Sequence, residues 1–141
     1  MPHRRRVKSA RKAPATRGET LVTRLAGAIV HGAPLDLAVA GESIEVPLDV
    51  VDVGEEIYRV ASAPDGSGLS SGDLVVVEPR EDYAATAELV IASLADRLFI
   101  GRWWSKHGRR AVMNETLTAL IEDSALRVVG AITVTMRYAD R

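Results

Sequence analysis

Residues 57–79 read IYRVASAPDGSGLSSGDLVVVEP, and this stretch decides the fold. Its first five residues, 57–61, have the composition of a strand. Residues 62–72 then place three glycines and a proline in eleven positions, which marks a loop. Residues 74–78, LVVVE, form a continuous apolar run closed by Pro79. A run this short, rich in Val and bounded by turn residues, reads as a buried strand. Two strands joined by a Gly/Pro loop set the pattern for what flanks them.

Outward from this pair the same texture recurs. Residues 43–48, SIEVPL, alternate apolar and polar as a half-buried strand does, and Pro47 places that strand at an edge or at its own end. Residues 20–30 are rich in small and β-branched types and favour a strand. Residues 87–94, 97–104, 111–114 and 126–137 read as further strands, with residues 106–109, KHGR, as a hairpin turn between two of them. The acidic stretch 49–56 has room for one helical turn. Short strands at regular spacing with Gly/Pro punctuation predict an all-β or mainly β domain with little helix. No pair of segments reads as helix–turn–helix, so sequence-specific reading of DNA by the body is not expected.

Charge divides the chain differently. The 141 residues hold 18 Lys+Arg and 19 Asp+Glu, a net charge of −1. Seven of the basic residues (Arg4, Arg5, Arg6, Lys8, Arg11, Lys12 and Arg17) and no carboxylate fall in residues 1–18, which therefore stand at +7. The remaining eleven basic and nineteen acidic residues leave residues 19–141 at −8. The expected organisation is a basic, disordered tail over residues 1–18 and one domain over 19–141. Such a tail suits non-specific phosphate contacts with DNA, although a solubilising extension has the same composition.

Several classes of function are excluded or disfavoured. With no cysteine there is no disulfide, thiolate nucleophile or Cys-based zinc site. His3, His31 and His107 are too scattered to suggest metal ligation, so neither metal nor cofactor is expected. No apolar run approaches the roughly 20 residues of a membrane-spanning helix. Residues 1–18 lack the apolar centre and cleavage signal of a secretory peptide. The expectation is a cytoplasmic protein with no membrane contact.

Four stretches in order carry a resemblance to a known family. Residues 25–34, LAGAIVHGAP, are similar to a Gly–x–Val–x–x–Gly–x–Pro segment with Ile29 in place of the valine. Residues 57–62 with 71–77, SGDLVVV, look like a nucleophile-bearing strand and the strand after it. Residues 96–103, DRLFIGRW, stand where a lysine-bearing strand is expected, and residues 128–134, VVGAITV, look like a final strand. Together they resemble the LexA/UmuD-type Ser–Lys autopeptidase domains. The resemblance covers residues 22–138, with 25–34 similar to the cleavable segment and 57–138 to the catalytic core.

This resemblance implies a twisted-sheet pseudo-barrel, a bond His31–Gly32 at the cleavage position, and homodimerisation through the last strand. Val128, Val129, Ile132 and Val134 are its interface candidates, on the view that the strand offers an unpaired edge. The family chemistry needs a serine hydroxyl and a neutral lysine, and arginine cannot replace the lysine because it stays protonated. The lysine position falls on Gly101. The only lysine outside the tail is Lys106, five residues further on, read either as a displaced base or as a solvated turn residue. The serine position falls near Ala63, and Ser62 is the nearest hydroxyl, read either as a nucleophile or as a loop serine. His31 is either a pH-sensitive contact or an exposed turn residue. Adjacent Trp103 and Trp104 point to opposite faces of a strand, so one of them is a core residue and the other a covering residue or a partner anchor.

Three functions follow as expectations. The first is a catalytically inactive, dimeric regulatory or protein-interaction module, in a bacterial DNA-damage (SOS) response or in transcription regulation. The second is a self-cleaving serine peptidase using Ser62 with a non-standard base. The third is a DNA-associated protein acting through the basic tail.

Overall fold

The computed structural model describes residues 19–80, 89–116 and 118–138. Ten strands run through them: β1 (Thr20–Arg24), β2 (Gly27–Val30), β3 (Ser43–Pro47), β4 (Glu56–Ser62), β5 (Leu74–Pro79), β6 (Leu89–Leu94), β7 (Arg97–Lys106), β8 (Arg109–Met113), β9 (Ala119–Glu122) and β10 (Arg127–Met136). No helix occurs among the described residues, so the domain is mainly β as its alternating segments predict. Residues 49–55 make hydrogen-bonded turns where the sequence had room for one helical turn, and Glu56 already belongs to β4. Val50 N–H donates to the Pro47 carbonyl, and the Glu55 carboxylate accepts from Asp52 N–H.

The main sheet has eight strands in the order β2-β4-β5-β10-β6-β7-β8-β9, curled into a half-barrel. All neighbours are antiparallel except β2 and β4, which run parallel. A separate two-stranded ribbon pairs β1 with β3. The predicted single strand over 20–30 is thus two strands. The chain breaks at Leu25 and Ala26 because it passes there from ribbon to main sheet.

Successive side chains point to opposite faces, and the central strands are apolar on both, as β5 is over residues 74–77, so three packed clusters result. The concave interior holds Ile29, Tyr58, Val60, Val75, Val77, Ile91 and Ile100. The outer face of β4, β5 and β10 is covered by the β1–β3 ribbon, which buries Val46 against Ile57, Val76, Val134 and Met136. The outer face of β6, β7 and β10 is covered by its own continuation, because β8 and β9 curl back. Trp103, Val112, Leu126, Val90 and Val128 fill that space. Trp103 is fully buried there, and Trp104 is half-buried on the opposite face.

Strand β10 contributes to all three clusters. It lies in the middle of the sheet, bonded to β5 on one side and β6 on the other. This corrects the expectation of an unpaired edge. Val128 and Val134 are buried in the two outer clusters, while Val129 and Ile132 pack against the interior one. Val129 and Ile132 remain half-exposed.

Candidate functional site

The strands position two structures near the mouth of the half-barrel: a cleft and a strap. The cleft lies between the loop after β4 and the β7–β8 pair. Asp65, Gly66 and Ser67 form one wall, and Gly101, Arg102, Asn114 and Glu115 form the other. An Arg102–Glu115 ion pair of 3.5 Å spans the second wall. The loop is held by local bonds that its serines and acid supply. Ser67 Oγ accepts from Leu69 N–H, and Asp73 Oδ2 accepts from Ser70 N–H.

Asp73 is the one fully buried acidic side chain among the described residues, and it ties this loop to β10. Arg137 Nε and Nη2 donate to its two carboxylate oxygens, each at 2.8 Å, and Arg137 Nη2 also reaches the Gly68 carbonyl. A planar guanidinium matches a carboxylate in this paired way, and a buried charge needs such a partner. The carboxylate in turn raises the Arg137 pKa above its already high ordinary value.

Gly101 sits in mid-β7 at the cleft, and the room a side chain would need there is already taken. A Cβ here would lie 2.3 Å from Val112 Cγ1 and 2.8 Å from the Met113 carbonyl oxygen. The direction is toward β8, where Val112 and the Met113 backbone already fill the space. No lysine fits at this position without moving backbone. Lys106 is exposed at the far end of β7, where it pairs with Arg109 across the hairpin. Five residues of strand separate it from Gly101 by about 16 Å, more than a lysine side chain spans. Ser62 is exposed at the end of β4, and its neighbour Ala63 packs against the interior cluster. The cleft therefore brings the loop after β4 to Gly101, with Ser62 and Ala63 outside its lining, and among the described residues no lysine lines it.

The strap is formed by residues 31–33, which leave β2 and cross to β7. Gly32 N–H donates to the Leu98 carbonyl at 2.6 Å, and Leu98 N–H donates to the Ala33 carbonyl at 2.9 Å. Arg97 Nη1 donates to the Gly32 carbonyl at 3.0 Å. His31 N–H donates to the Ser62 carbonyl, and His31 Nδ1 accepts from Ile100 N–H at 3.0 Å. The imidazole also meets the Phe99 ring edge-to-face at 5.5 Å. His31 is thus a half-buried, hydrogen-bonded strap residue, not an exposed turn residue. Burial lowers its pKa below the ordinary 6.5. Its role was not legible in sequence because its partner lies 69 positions away.

Among the described residues no group of three or more His, Cys, Asp and Glu is placed to hold a metal. No helix there is long and apolar enough to cross a membrane. The basic candidates Arg4, Arg5, Arg6, Lys8, Arg11 and Lys12 lie outside the described residues. In comparisons with known proteins, no family model matches the chain and no curated protein matches it.

Proposed function

We propose that this chain is a catalytically silent β domain of the LexA/UmuD type that works as a regulatory protein-interaction module. The observation carrying the silence is the packing at Gly101. The lysine position of the resemblance points into Val112 and the Met113 backbone, and a Ser–Lys reaction needs an unprotonated amine beside the hydroxyl. The bond that aligns with the cleavage position also lies in the strap. The Gly32 N–H and carbonyl and the His31 N–H are all engaged there. The setting in a bacterial damage response or in transcription regulation, and self-association into a dimer, rest on the resemblance.

The test is self-cleavage. The full chain is incubated at pH 10 and its mass followed over days. An unchanged intact mass is expected. A break between His31 and Gly32 that disappears in Ser62→Ala would overturn the proposal in favour of a peptidase.

A second reading is favoured by one observation, the separation of +7 on residues 1–18 from −8 on the remainder. The tail supplies non-specific contacts to DNA phosphates, worth a steep salt dependence. Neutralising six or seven phosphates gives a slope of log K against log salt of about −6. Anisotropy with a fluorescent duplex should show binding by the full chain at low salt and none by a chain lacking residues 1–18. Equal binding by the two chains would remove the tail from this role.

A further inference from the structure

Strand β7 is shared between three partners along one edge. At Arg102 and beyond, that edge is paired with β8, starting from Met113. At Leu98 it is bonded to the strap backbone through Gly32 and Ala33. Between these two rungs lies Ile100, whose N–H belongs to the same edge because donors on one edge recur every second residue. Its acceptor is a side chain, His31 Nδ1, at 3.0 Å. The imidazole therefore serves as a rung of the sheet, in the gap between strap and β8.

We propose that His31 is an acid-released latch that holds residues 31–33 across the mouth of the half-barrel at neutral pH. The chemistry is that of the acceptor. To receive the Ile100 N–H, Nδ1 must carry a lone pair, so the ring proton sits on Nε2. Protonation puts a second N–H at Nδ1, directly opposite the Ile100 N–H. Two donors then face each other, and the bond becomes a repulsion. The ring cannot simply turn away to water, because Phe99 packs against it and the His31 N–H is fixed to the Ser62 carbonyl.

The charged groups on surrounding elements do not offset this. They are Asp36 on its own segment, Glu56 and Arg59 on β4, Asp65 in the next loop, Asp96 before β7, and Arg97 and Arg102 on β7. Arg97 is engaged with the Gly32 carbonyl, Arg59 with Glu42, and Glu56 with the Tyr58 hydroxyl. None of the charged groups forms an ion pair with the imidazole among the described residues. Burial accordingly favours the neutral ring. The latch is closed above about pH 6.5 and opens as pH falls toward the lowered pKa of the ring. Opening frees the Leu98 and Ile100 edge of β7 and exposes the His31–Gly32 peptide.

Amide hydrogen exchange by NMR tests this in the full chain. Protection factors are corrected for the intrinsic pH dependence of exchange and compared at pH 7.5 and pH 5.0. The amides of Gly32, Leu98 and Ile100 should lose protection at pH 5.0, while Val75 and Val76 in the central sheet keep theirs. His31→Asn keeps an acceptor at the Nδ1 position without a titrating ring, and should make strap protection independent of pH. Equal strap protection at both pH values in the wild type would overturn the latch. So would a pH-dependent loss that persists in His31→Asn. Should that variant not fold, the imidazole Cε1–H shift of the wild type decides: a midpoint below 6.5 supports the latch, and one at or above 6.5 overturns it.

Discussion

Position 101 is closed by its neighbours on two sides, a side-chain methyl of Val112 and the backbone of Met113. Gly130 on β10 is closed in the same way, by Val77 Cγ1 at 2.6 Å and the Glu78 carbonyl at 2.7 Å. Both glycines pair with β6, Gly101 opposite Val90 and Gly130 opposite Ile91. Both let the curling sheet bring backbones together where a methyl group would hold them apart. Gly101→Ala should therefore destabilise the protein by about 2–3 kcal/mol, the usual cost of overpacking a filled core, as read by urea denaturation. Gly101→Lys should fail to create self-cleavage and should unfold the chain more readily still. The sequence marks Gly101 as an absent lysine. It does not reveal why glycine is required, because Val112 and Met113 become its neighbours only through the β7–β8 register. The buried Asp73 makes a second prediction. Arg137→Met leaves its carboxylate buried without a cation, and should lower the melting temperature more than the double change Asp73→Asn with Arg137→Met. The reverse order would show that the pair contributes only packing.

At the scale of elements, alternation and turn chemistry made most strands legible. The β7–β8 hairpin follows from KHGR, since His107 and Gly108 take positive φ values of 53° and 80°, as a two-residue hairpin turn requires. The β6–β7 hairpin uses the same geometry with residues less suited to it. Ala95 and Asp96 stand at φ 53° and 67°. Ala95→Gly removes a Cβ from a left-handed conformation and should stabilise the protein by about 0.5–1 kcal/mol; an unchanged or lower denaturation midpoint would show that the turn is not strained. β9 was not legible. It is four residues long, and only Ile121 packs inward, so it shows no alternation to read. Of the candidate site, Gly101 was singled out in sequence and lines the cleft, whereas Ser62 and Ala63 do not line it. The strap was not legible, because its bonds join residues 31–33 to residues 97–100, and local sequence carries no trace of such distant pairing.

Across the whole molecule, stability should depend on pH through His31. Its folded pKa lies below the 6.5 of an unfolded chain, so the unfolded state binds more protons in the window between the two values. Stability then rises with pH through that window. The contribution is complete above about pH 6.5 and is lost as pH falls toward the folded pKa. Urea midpoints measured from pH 7.5 to 5.0 should decline below 6.5 in the wild type, and this part of the decline should vanish in His31→Asn. A wild-type midpoint that stays level across that range would remove His31 from the acid response. The same scale sets how the three clusters depend on one another. Interior, ribbon-covered and curled-back cores are separate spaces, yet each takes side chains from β10.

That shared strand has a consequence for biosynthesis. During translation β1 to β9 leave the ribosome before β10, and the sheet order places a gap between β5 and β6 until it arrives. None of the three cores can be completed on a nascent chain that stops short of residue 127. The first nine strands wait with their apolar faces and a central pair of strand edges open. A frameshift or stop codon that removes β10 would not leave a smaller working domain. It would leave an unclosed chain destined for proteolysis, which makes the last strand the checkpoint of the fold.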